Sequence, residues 1–347
     1  MADLTTFPQD RIRIFNREGI NIAEFRASVE RSWVLGEEGR AVFGYPIRKT
    51  EVVNENIIQF GNYILIENSV LPPWVGVIDV PRVWGTRAVE VYAYTPERML
   101  NYRRSALEVE YKYPPGTIFK KLIQRLNRLD KTLLTPGDIW EGGSIMELIL
   151  LPNPLSDYLY KVRDEGKKYW NWRPVVTDMG RLVIYGDYFE NLGETTEAIL
   201  QTGNVEAVNS IMVEDEPLFN DILGYGDGET WGSKPYWNIV QQDSIAKYGL
   251  RQSAEEYQGV TDKMVVKNNV YKSLEQVKNT KKVFRLTALN KGDTFKFLKL
   301  GNRLKARLEG IGFTNGLLGY DTLVQIEGMA YDPQDQNQIE LVVTEVI

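Results

Sequence analysis

The sequence contains no cysteine and no histidine among its 347 residues. Without cysteine, the chain can form no disulfide, no thiolate nucleophile and no cysteine-ligated zinc or iron–sulfur site. Without histidine, it has no Ser-His-Asp triad, no imidazole proton shuttle and no histidine-bound metal. Carboxylates, lysine, tyrosine, serine and threonine are left for catalysis, so a carboxylate-pair hydrolase and a calcium site remain open.

The sequence also lacks long apolar runs. No uncharged stretch approaches the roughly 18 residues of a membrane span. The first 20 residues carry no apolar core of a secretory signal; they include Asp3, Asp10, Arg11, Arg13 and Arg17. We therefore expect a soluble chain made in the cytoplasm, with no signal sequence and no membrane span.

The sequence also has no excess of positive charge. Lysine and arginine number 41 against 47 aspartates and glutamates, a net charge of −6. This balance argues against a protein that binds nucleic acid by neutralising phosphates. What is present is ordinary for globular chains, with 43% hydrophobic and 25% charged residues. The length predicts two or three domains, and abundant glycine with tyrosine and tryptophan favours β-structure with many turns.

Hydrophobic periodicity predicts β-structure in the N-terminal third. Residues 11–15 alternate between charged and apolar side chains, as a half-buried strand does. Further short strands are predicted over residues 57–66, 74–78 and 87–94. Several short strands at this spacing are typical of a sandwich or a small barrel.

The last third is predicted to be a helix followed by strands. After Asp262, apolar residues recur on one helical face; these are Val266, Val270, Leu274 and Val277. The strands are predicted over residues 283–289, 295–298, 303–308, 322–329 and 339–346.

The middle region mixes both periodicities. Thr95 and Thr117 are predicted N-caps of two helices, because each lies beside a proline-containing helix start. Residues 157–172 are predicted to form a hairpin that turns at Asp-Glu-Gly. Two further helices are predicted over residues 216–223 and 237–248.

A weak internal repeat links the two ends of the chain. Residues 57–67 read IIQFGNYILIE, and residues 297–309 read FLKLGNRLKARLE. Each segment passes from an apolar residue through Gly-Asn into an alternating strand, and glycine supplies a positive φ where a strand turns a corner. The alternative is a coincidence between two hairpins. A true repeat predicts two similar β-barrels, and a trimer would then present six similar units in a ring.

Four stretches with this order and spacing resemble the baseplate hub, or tail-associated, family of bacteriophage tails and related contractile injection systems. They are residues 32–46 (SWVLGEEGRAVFGYP), residues 60–66 followed by 74–79, residues 117–123, and residues 248–251 followed by a helix and a last β unit that ends at 328–332. No single stretch is specific to the family, and the resemblance depends on their order and spacing. Together they span most of the chain.

The resemblance implies a mainly β fold, with two small β-barrel domains flanking an α/β middle. We place the boundaries at 1–97 for the first barrel domain, 98–260 for the α+β middle region, and 261–347 for a helix with the second barrel. For a chain that acts as a structural hub we expect no enzymatic activity, and we assign no catalytic residue, metal or cofactor. We expect a homotrimeric ring that adapts the six-fold tail tube, or the distal tail ring, to a three-fold tip.

The same resemblance implies the partners and the location. The expected partners are further copies of the chain, the distal tail or tail tube protein, the tail tip, spike or fibre protein, and the tape measure protein. DNA would be met only in transit during ejection, and the location would be the tail of the virion. The negative charge suggests an acidic lumen, which would let DNA slide without adhering.

Two alternatives remain open. A carboxylate-dependent glycan hydrolase associated with a tail would use acids such as Asp227 in the glycine-rich loop 224–228 and Glu229 directly after it. A carbohydrate-binding β protein would use stacked indoles; the candidates are Trp170, Trp172, Trp231 and Trp237. Residues 332–340 (DPQDQNQIE) lack the central glycine and the regular ligands of a calcium loop, so we predict a polar turn there.

Overall fold

The structure is a computed structural model. It describes residues 9–46, 56–85, 88–105, 109–129, 131–166, 168–201, 204–213, 218–278, 283–290, 294–314, 317–335 and 337–346. These residues form 21 strands and five α-helices. The expectation of a mainly β fold with α insertions is therefore confirmed.

The N-terminal part is a sheet of seven strands. They are β1 (Asp10–Phe15), β2 (Asn21–Ala27), β3 (Val29–Val34), β4 (Arg40–Pro46), β5 (Tyr63–Glu67), β6 (Trp74–Trp84) and β7 (Ala88–Tyr94). They pair in the order β2-β1-β5-β6-β7-β4-β3. In β1, Ile12 and Ile14 are buried while Arg11 is exposed, as the alternation predicts. Residues of β5 are buried on both faces, because one face packs inside this unit and the other against the middle region.

The middle region places helices over small sheets. Its elements are α1 (Arg98–Asn101), β8 (Val109–Tyr113), α2 (Pro115–Leu129), β9 (Leu134–Ile139), β10 (Met146–Leu150), α3 (Leu155–Gly166), β11 (Tyr169–Val176) and β12 (Leu182–Phe189). Strand β8 pairs with β10, and β12 pairs with β11 and β9. Phe119 of α2 and Trp170 of β11 lie in the shared core.

A further layer precedes the C-terminal strands. It contains β13 (Thr195–Gln201), β14 (Val205–Val213), β15 (Asp221–Tyr225), β16 (Tyr236–Val240), α4 (Gln242–Tyr248), β17 (Gln252–Glu256) and α5 (Lys263–Val277). Helix α5 covers the sheet β16-β15-β17 with the apolar face expected from the sequence, and Val266, Val270 and Leu274 are buried there. Asp262 caps this helix by accepting a hydrogen bond from the Met264 N–H at 2.6 Å.

The last four strands complete a second β unit. They are β18 (Val283–Leu289), β19 (Arg303–Thr314), β20 (Leu317–Tyr331) and β21 (Gln338–Glu345). With β13 and β14 they pair in the order β14-β18-β21-β20-β19-β13, and β20 also pairs with β3. The two β units thereby merge into one 13-stranded sheet. Closure of each unit into a barrel stays a prediction, as do the domain boundaries.

Several local predictions were wrong. Residues 155–166 form helix α3 rather than a hairpin, because Leu155, Tyr158, Leu159 and Val162 share one buried helical face. Residues 294–297 form a 3-10 turn in place of the strand predicted from 295.

The remaining errors concern helix starts in the middle region. Helix α1 begins at Arg98, because the Thr95 hydroxyl accepts a hydrogen bond from the Gly39 N–H instead of capping the helix. Helix α2 begins at Pro115, two residues before the predicted cap. The helix predicted over 237–248 starts only at Gln242, and residues 221–223 belong to β15. Residues 216 and 217 lie outside the described ranges.

Candidate functional site

The Gly-Asn segments of the sequence repeat form the same corner in both β units. Gly61 has φ 86° and Gly301 has φ 80°, a region that favours glycine. The Gly61 N–H donates to the Ile78 carbonyl at 3.0 Å, and the Gly301 N–H donates to the Ile326 carbonyl at 2.8 Å. Each corner therefore ties the entry of one strand to the middle of the next.

The asparagines that follow the glycines are also equivalent. The main-chain carbonyls of Asn62 and Asn302 accept hydrogen bonds from the N–H groups of the same two isoleucines, at 2.8 and 2.9 Å. The Asn62 side-chain amide donates to the Ile57 carbonyl at 3.0 Å, and the Asn302 amide donates to the Phe297 carbonyl at 3.0 Å. Both side chains reach back five residues and close the turn before the strand.

The strand order extends this likeness over both units. The order β3-β4-β7-β6-β5-β1 in the first unit corresponds to β14-β18-β21-β20-β19-β13 in the second. The units differ at one end, since β1 pairs antiparallel with β5 whereas β13 pairs parallel with β19. The chain thus contains two copies of one β arrangement.

The two units meet at a seam, which we define as the pairing of β3 with the end of β20. Residues Gly328–Tyr331 run antiparallel to Val34–Arg31, so that Tyr331 lies opposite Arg31. Trp33, Met329 and Tyr331 are each more than nine-tenths buried there. The seam is an apolar contact between strands that are nearly 300 residues apart in the sequence.

A buried ion pair lies beside the seam. Arg31 Nη1 is 2.7 Å from Asp10 Oδ2, and their side chains are 0% and 3% exposed. Asp10 also accepts hydrogen bonds from the Val29 N–H at 3.2 Å and from the Asn68 amide at 2.9 Å. These donors offset the cost of burying the carboxylate and join β1 to β3.

Aromatic rings enclose the guanidinium of this pair. The Arg31 Cζ atom is 5.3 Å from the ring centre of Trp33 and 5.2 Å from that of Tyr331. Both distances are within the range of cation–π attraction. Burial, together with the charge of Asp10, raises the pKa of Tyr331 to about 12. The Arg31 guanidinium therefore contacts one aromatic ring from each β unit, Trp33 of the first and Tyr331 of the second.

A second group of buried charges joins the first β unit to the middle region. The Trp170 indole N–H donates to Glu97 Oε1 at 2.6 Å, and burial raises the pKa of Glu97. Burial and the charges of Glu97 and Asp79 raise the pKa of Glu38 to about 7, although Arg98 opposes the shift. These carboxyls hold helix α1 between the sheet and β11.

Asp79 and Arg98 are the ionised part of this group. Burial disfavours the Asp79 carboxylate, yet hydrogen bonds from Arg98, Tyr102 and the Val80 N–H hold its pKa below the ordinary value. Arg98 Nε lies 2.5 Å from Asp79 Oδ2. This contact fixes α1 to β6, and the Asp79 carboxylate is bound by Arg98 and Tyr102.

The acidic loop considered for a hydrolase has a structural role at Asp227. Its carboxylate accepts a hydrogen bond from the Gly259 N–H at 2.6 Å, and its own N–H donates to the Val260 carbonyl at 2.7 Å. Glu229 is exposed at the tip. Asp227 therefore fastens the loop to the segment that precedes α5.

The four tryptophans do not form one platform. Trp170 and Trp172 are buried against Phe119, whose ring centre lies about 6 Å from both. Trp231 is 72% exposed and contacts Tyr225, whereas Trp237 lies half-buried under α5. The aromatic residues thus serve separate cores, and only Trp231 presents its face to solvent.

The polar segment after β20 is a turn, as predicted. Pro333–Asp335 form a 3-10 turn, and the Asp332 carboxylate accepts a hydrogen bond from the Gln334 N–H at 2.8 Å. Across the described part of the chain, no cluster of three or more acidic residues is arranged to hold a metal ion. The described helices include none long and apolar enough to cross a membrane.

The sequence patterns located the Gly-Asn corners but not the buried charges. Arg31 alternates with Val29 and Trp33, which places it on the inner face of a strand. This position on an apolar face indicates a buried ion pair, because an arginine there needs a partner of opposite charge. The partner itself, Asp10, could not be inferred from spacing.

Solved structures of tail proteins share this fold. Prophage tail protein gp18 from Listeria monocytogenes matches with a TM-score of 0.63 and 12% identity, over 96% of this chain and 94% of that chain. A tail protein from Neisseria meningitidis matches with a TM-score of 0.59 and 14% identity, over 97% and 96%. A type VI secretion system component from E. coli matches with a TM-score of 0.51 and 9% identity, over 98% and 75%.

Comparisons of sequence alone give no such match. No protein-family model matches the chain, and no curated protein matches it. The structural likeness nevertheless covers nearly the whole chain, from the first β unit to the last strand. The resemblance to phage tails and contractile injection systems that the sequence suggested is therefore confirmed at the level of the fold.

Proposed function

We propose that this chain is a structural hub of a phage-type tail that assembles as a homotrimeric ring. The observation that carries the proposal is the presence of two copies of one β arrangement, joined in a single sheet. Three chains would supply six like units, which is how a three-fold object can face a six-fold one. The fold shared with phage tail proteins and a type VI secretion component supports this role.

In this proposal the six-fold face contacts the tail tube or the distal tail ring. The three-fold face holds the tip, spike or fibre protein, and the tape measure protein ends at the ring. The domain boundaries that we propose place the first β unit within residues 1–97. They place the strands β18–β21 of the second unit within residues 261–347, with β13 and β14 added from the middle region 98–260. The function is mechanical: the ring shapes the DNA ejection path in the virion tail and changes its contacts when the tail engages a host.

Sedimentation velocity and native mass spectrometry of the full chain, alone and with its tail partners, test this role. We expect a species of three copies, and electron cryo-microscopy of intact particles should place three copies around the tail axis. A six-copy ring, or a location away from the axis, would overturn the proposal.

The hydrolase alternative makes a different prediction. The double change Asp227→Asn with Glu229→Gln would abolish glycan cleavage by a carboxylate enzyme. A structural hub carrying these changes should still assemble and support infection. Loss of a measurable glycan-cleaving activity in this variant, with assembly intact, would favour the alternative.

A further inference from the structure

The seam inside one chain provides a template for a contact between chains. The end of β20 is paired on both edges, with β21 on one side and with β3 on the other. Strand β3 takes its place beyond the residues of β20 that pair with β19. One β unit therefore docks its edge strand onto the extended end of a strand in the other unit.

The equivalent of β20 in the first unit is β6. Strand β6 pairs with β5 only through Trp74–Val77, whereas its pairing with β7 continues to Trp84. Among the described residues, the edge of β6 that faces away from β7 carries no strand at residues 82–84. This open edge occupies the place at which β20 receives β3.

The register identifies equivalent residues on the two strands. Val83 lies opposite Glu90 of β7, as Ala330 lies opposite Glu340 of β21, so Trp84 falls at the position of Tyr331. Tyr331 is 3% exposed because the seam covers it, whereas Trp84 is 51% exposed. Val83 is also 51% exposed. The first unit thus leaves Val83 and Trp84 uncovered at the positions of Ala330 and Tyr331. The third edge residue, Arg82, donates a hydrogen bond to the Ile58 carbonyl at 3.2 Å.

The matching edge strand of the second unit is β14. It pairs with β18 alone at one end of the described sheet order. Met212 lies opposite Phe284, as Arg31 lies opposite Ala41. Met212 and Val213 of β14 therefore correspond to Arg31 and Ser32, the first two docking residues of β3. The apolar character of Met212 and Val213 suits the buried centre of an interface.

We infer that residues 82–84 of β6 are the docking edge for β14 of a second copy of this chain. The strands would run antiparallel, with Trp84 opposite Met212 and Val83 opposite Val213. Each chain then offers the edge strand β14 and receives the β14 strand of a neighbour at its own residues 82–84. Such head-to-tail contacts form a ring when the rotation between copies closes. The inference rests on the proposed hub function and names the surface through which the trimer forms.

Cysteine cross-linking tests the register directly, because the natural chain has no cysteine. Residues opposite each other on antiparallel strands have Cβ atoms about 4.5–5.5 Å apart. That spacing is close to what a disulfide requires. Under mild oxidation, V83C/V213C should give covalent dimers and trimers on a denaturing gel, at least tenfold above either single variant. A cross-link confined to one chain, or none in an assembled trimer, would overturn the inferred register.

Trp84→Arg tests the energetic role of the edge. Trp84 is half-exposed in the single chain, so we expect the variant to fold with an unchanged circular dichroism spectrum and to lose at least tenfold in trimer affinity. Trp231→Arg is the matched control, because Trp231 is 72% exposed but lies outside both β units. It should assemble like the natural chain.

The outcomes separate the two proposals. A natural chain that forms trimers, with Trp84→Arg assembling equally well, would overturn the docking edge and leave the hub function standing. A natural chain that stays monomeric with its tail partners, and gives no cross-link between copies, would overturn the trimeric hub itself.

Discussion

Glu38 lies where the first β unit meets helix α1, and burial raises its pKa to about 7. The folded state holds a proton that the unfolded chain releases near its ordinary pKa of about 4.3. Its contribution to stability is therefore fully present below about pH 4 and is lost as the pH rises towards 7. Glu38→Gln should remove this loss and raise the free energy of unfolding by about 1–2 kcal/mol at pH 8, with little change at pH 4.5.

Urea unfolding at both pH values measures this effect. Glu37→Gln is the matched control, because the Glu37 side chain is 60% exposed and lies next in sequence. We expect that variant to change stability by less than about 1 kcal/mol at either pH, because the ion pair of Glu37 with Arg163 is exposed to solvent. An equal effect of Glu38→Gln at pH 4.5 and pH 8 would contradict the assigned role of burial.

The two corner glycines form a natural pair for a second comparison at this scale. A Cβ atom at Gly301 would lie 2.7 Å from the Leu192 carbonyl oxygen, whereas one at Gly61 meets nothing within 4 Å. Both positions have positive φ, which costs a non-glycine residue about 1–2 kcal/mol. Gly61→Ala should show that cost alone, and Gly301→Ala at least about 1 kcal/mol more, because backbone must shift. Equal losses of stability for the two variants, measured by urea unfolding, would contradict a steric cost from the Leu192 carbonyl at Gly301.

At the scale of elements, the ion pair at the seam holds β1 and β3 together. Arg31→Met leaves Asp10 buried without its cation, which typically costs about 3–5 kcal/mol. The double variant Asp10→Asn with Arg31→Met should recover much of this loss, because no uncompensated charge remains. A double-mutant cycle from urea unfolding measures the coupling. Additive losses would contradict a mutual dependence of the two side chains.

The elements that could be predicted from the sequence are those specified by local chemistry. The Gly-Asn corners were found because positive φ and the reach-back of asparagine are properties of a few adjacent residues. Helix α5 was found for a similar reason, since its apolar face and its Asp262 cap lie within one segment. Helix α3 was missed because its tyrosines favour strands by propensity, and tertiary burial of one face decided otherwise.

The seam could not be predicted in this way. Arg31 and Tyr331 are brought together by a pairing that only the complete chain creates. The same holds for Glu97 and Trp170, which are 73 residues apart in the sequence and meet through a hydrogen bond between different elements. Local periodicity specifies the face on which a residue lies, and long-range contacts specify what it meets there.

At the scale of the whole molecule, the two β units are joined head to tail rather than face to face. A face-to-face pair would use the same surface twice and would leave no free edge for a further copy. Among the described residues, the head-to-tail seam leaves β14 as an edge strand of the second unit and residues 82–84 of β6 as an open strand end of the first. In the proposed assembly these two surfaces form a heterologous contact that passes from copy to copy, unlike the single self-complementary contact of a closed dimer.

The charge of the whole chain leads to the last prediction. With a net charge of −6, three copies carry three times this value, and a ring that encloses DNA should repel phosphates. We expect no measurable binding of the assembled ring to duplex DNA at 150 mM salt in a fluorescence anisotropy titration. Proteins that grip DNA through several phosphate contacts lose affinity steeply with salt, with a logarithmic slope near the number of contacts. Tight binding with such a slope would contradict the acidic lumen expected for the proposed ring.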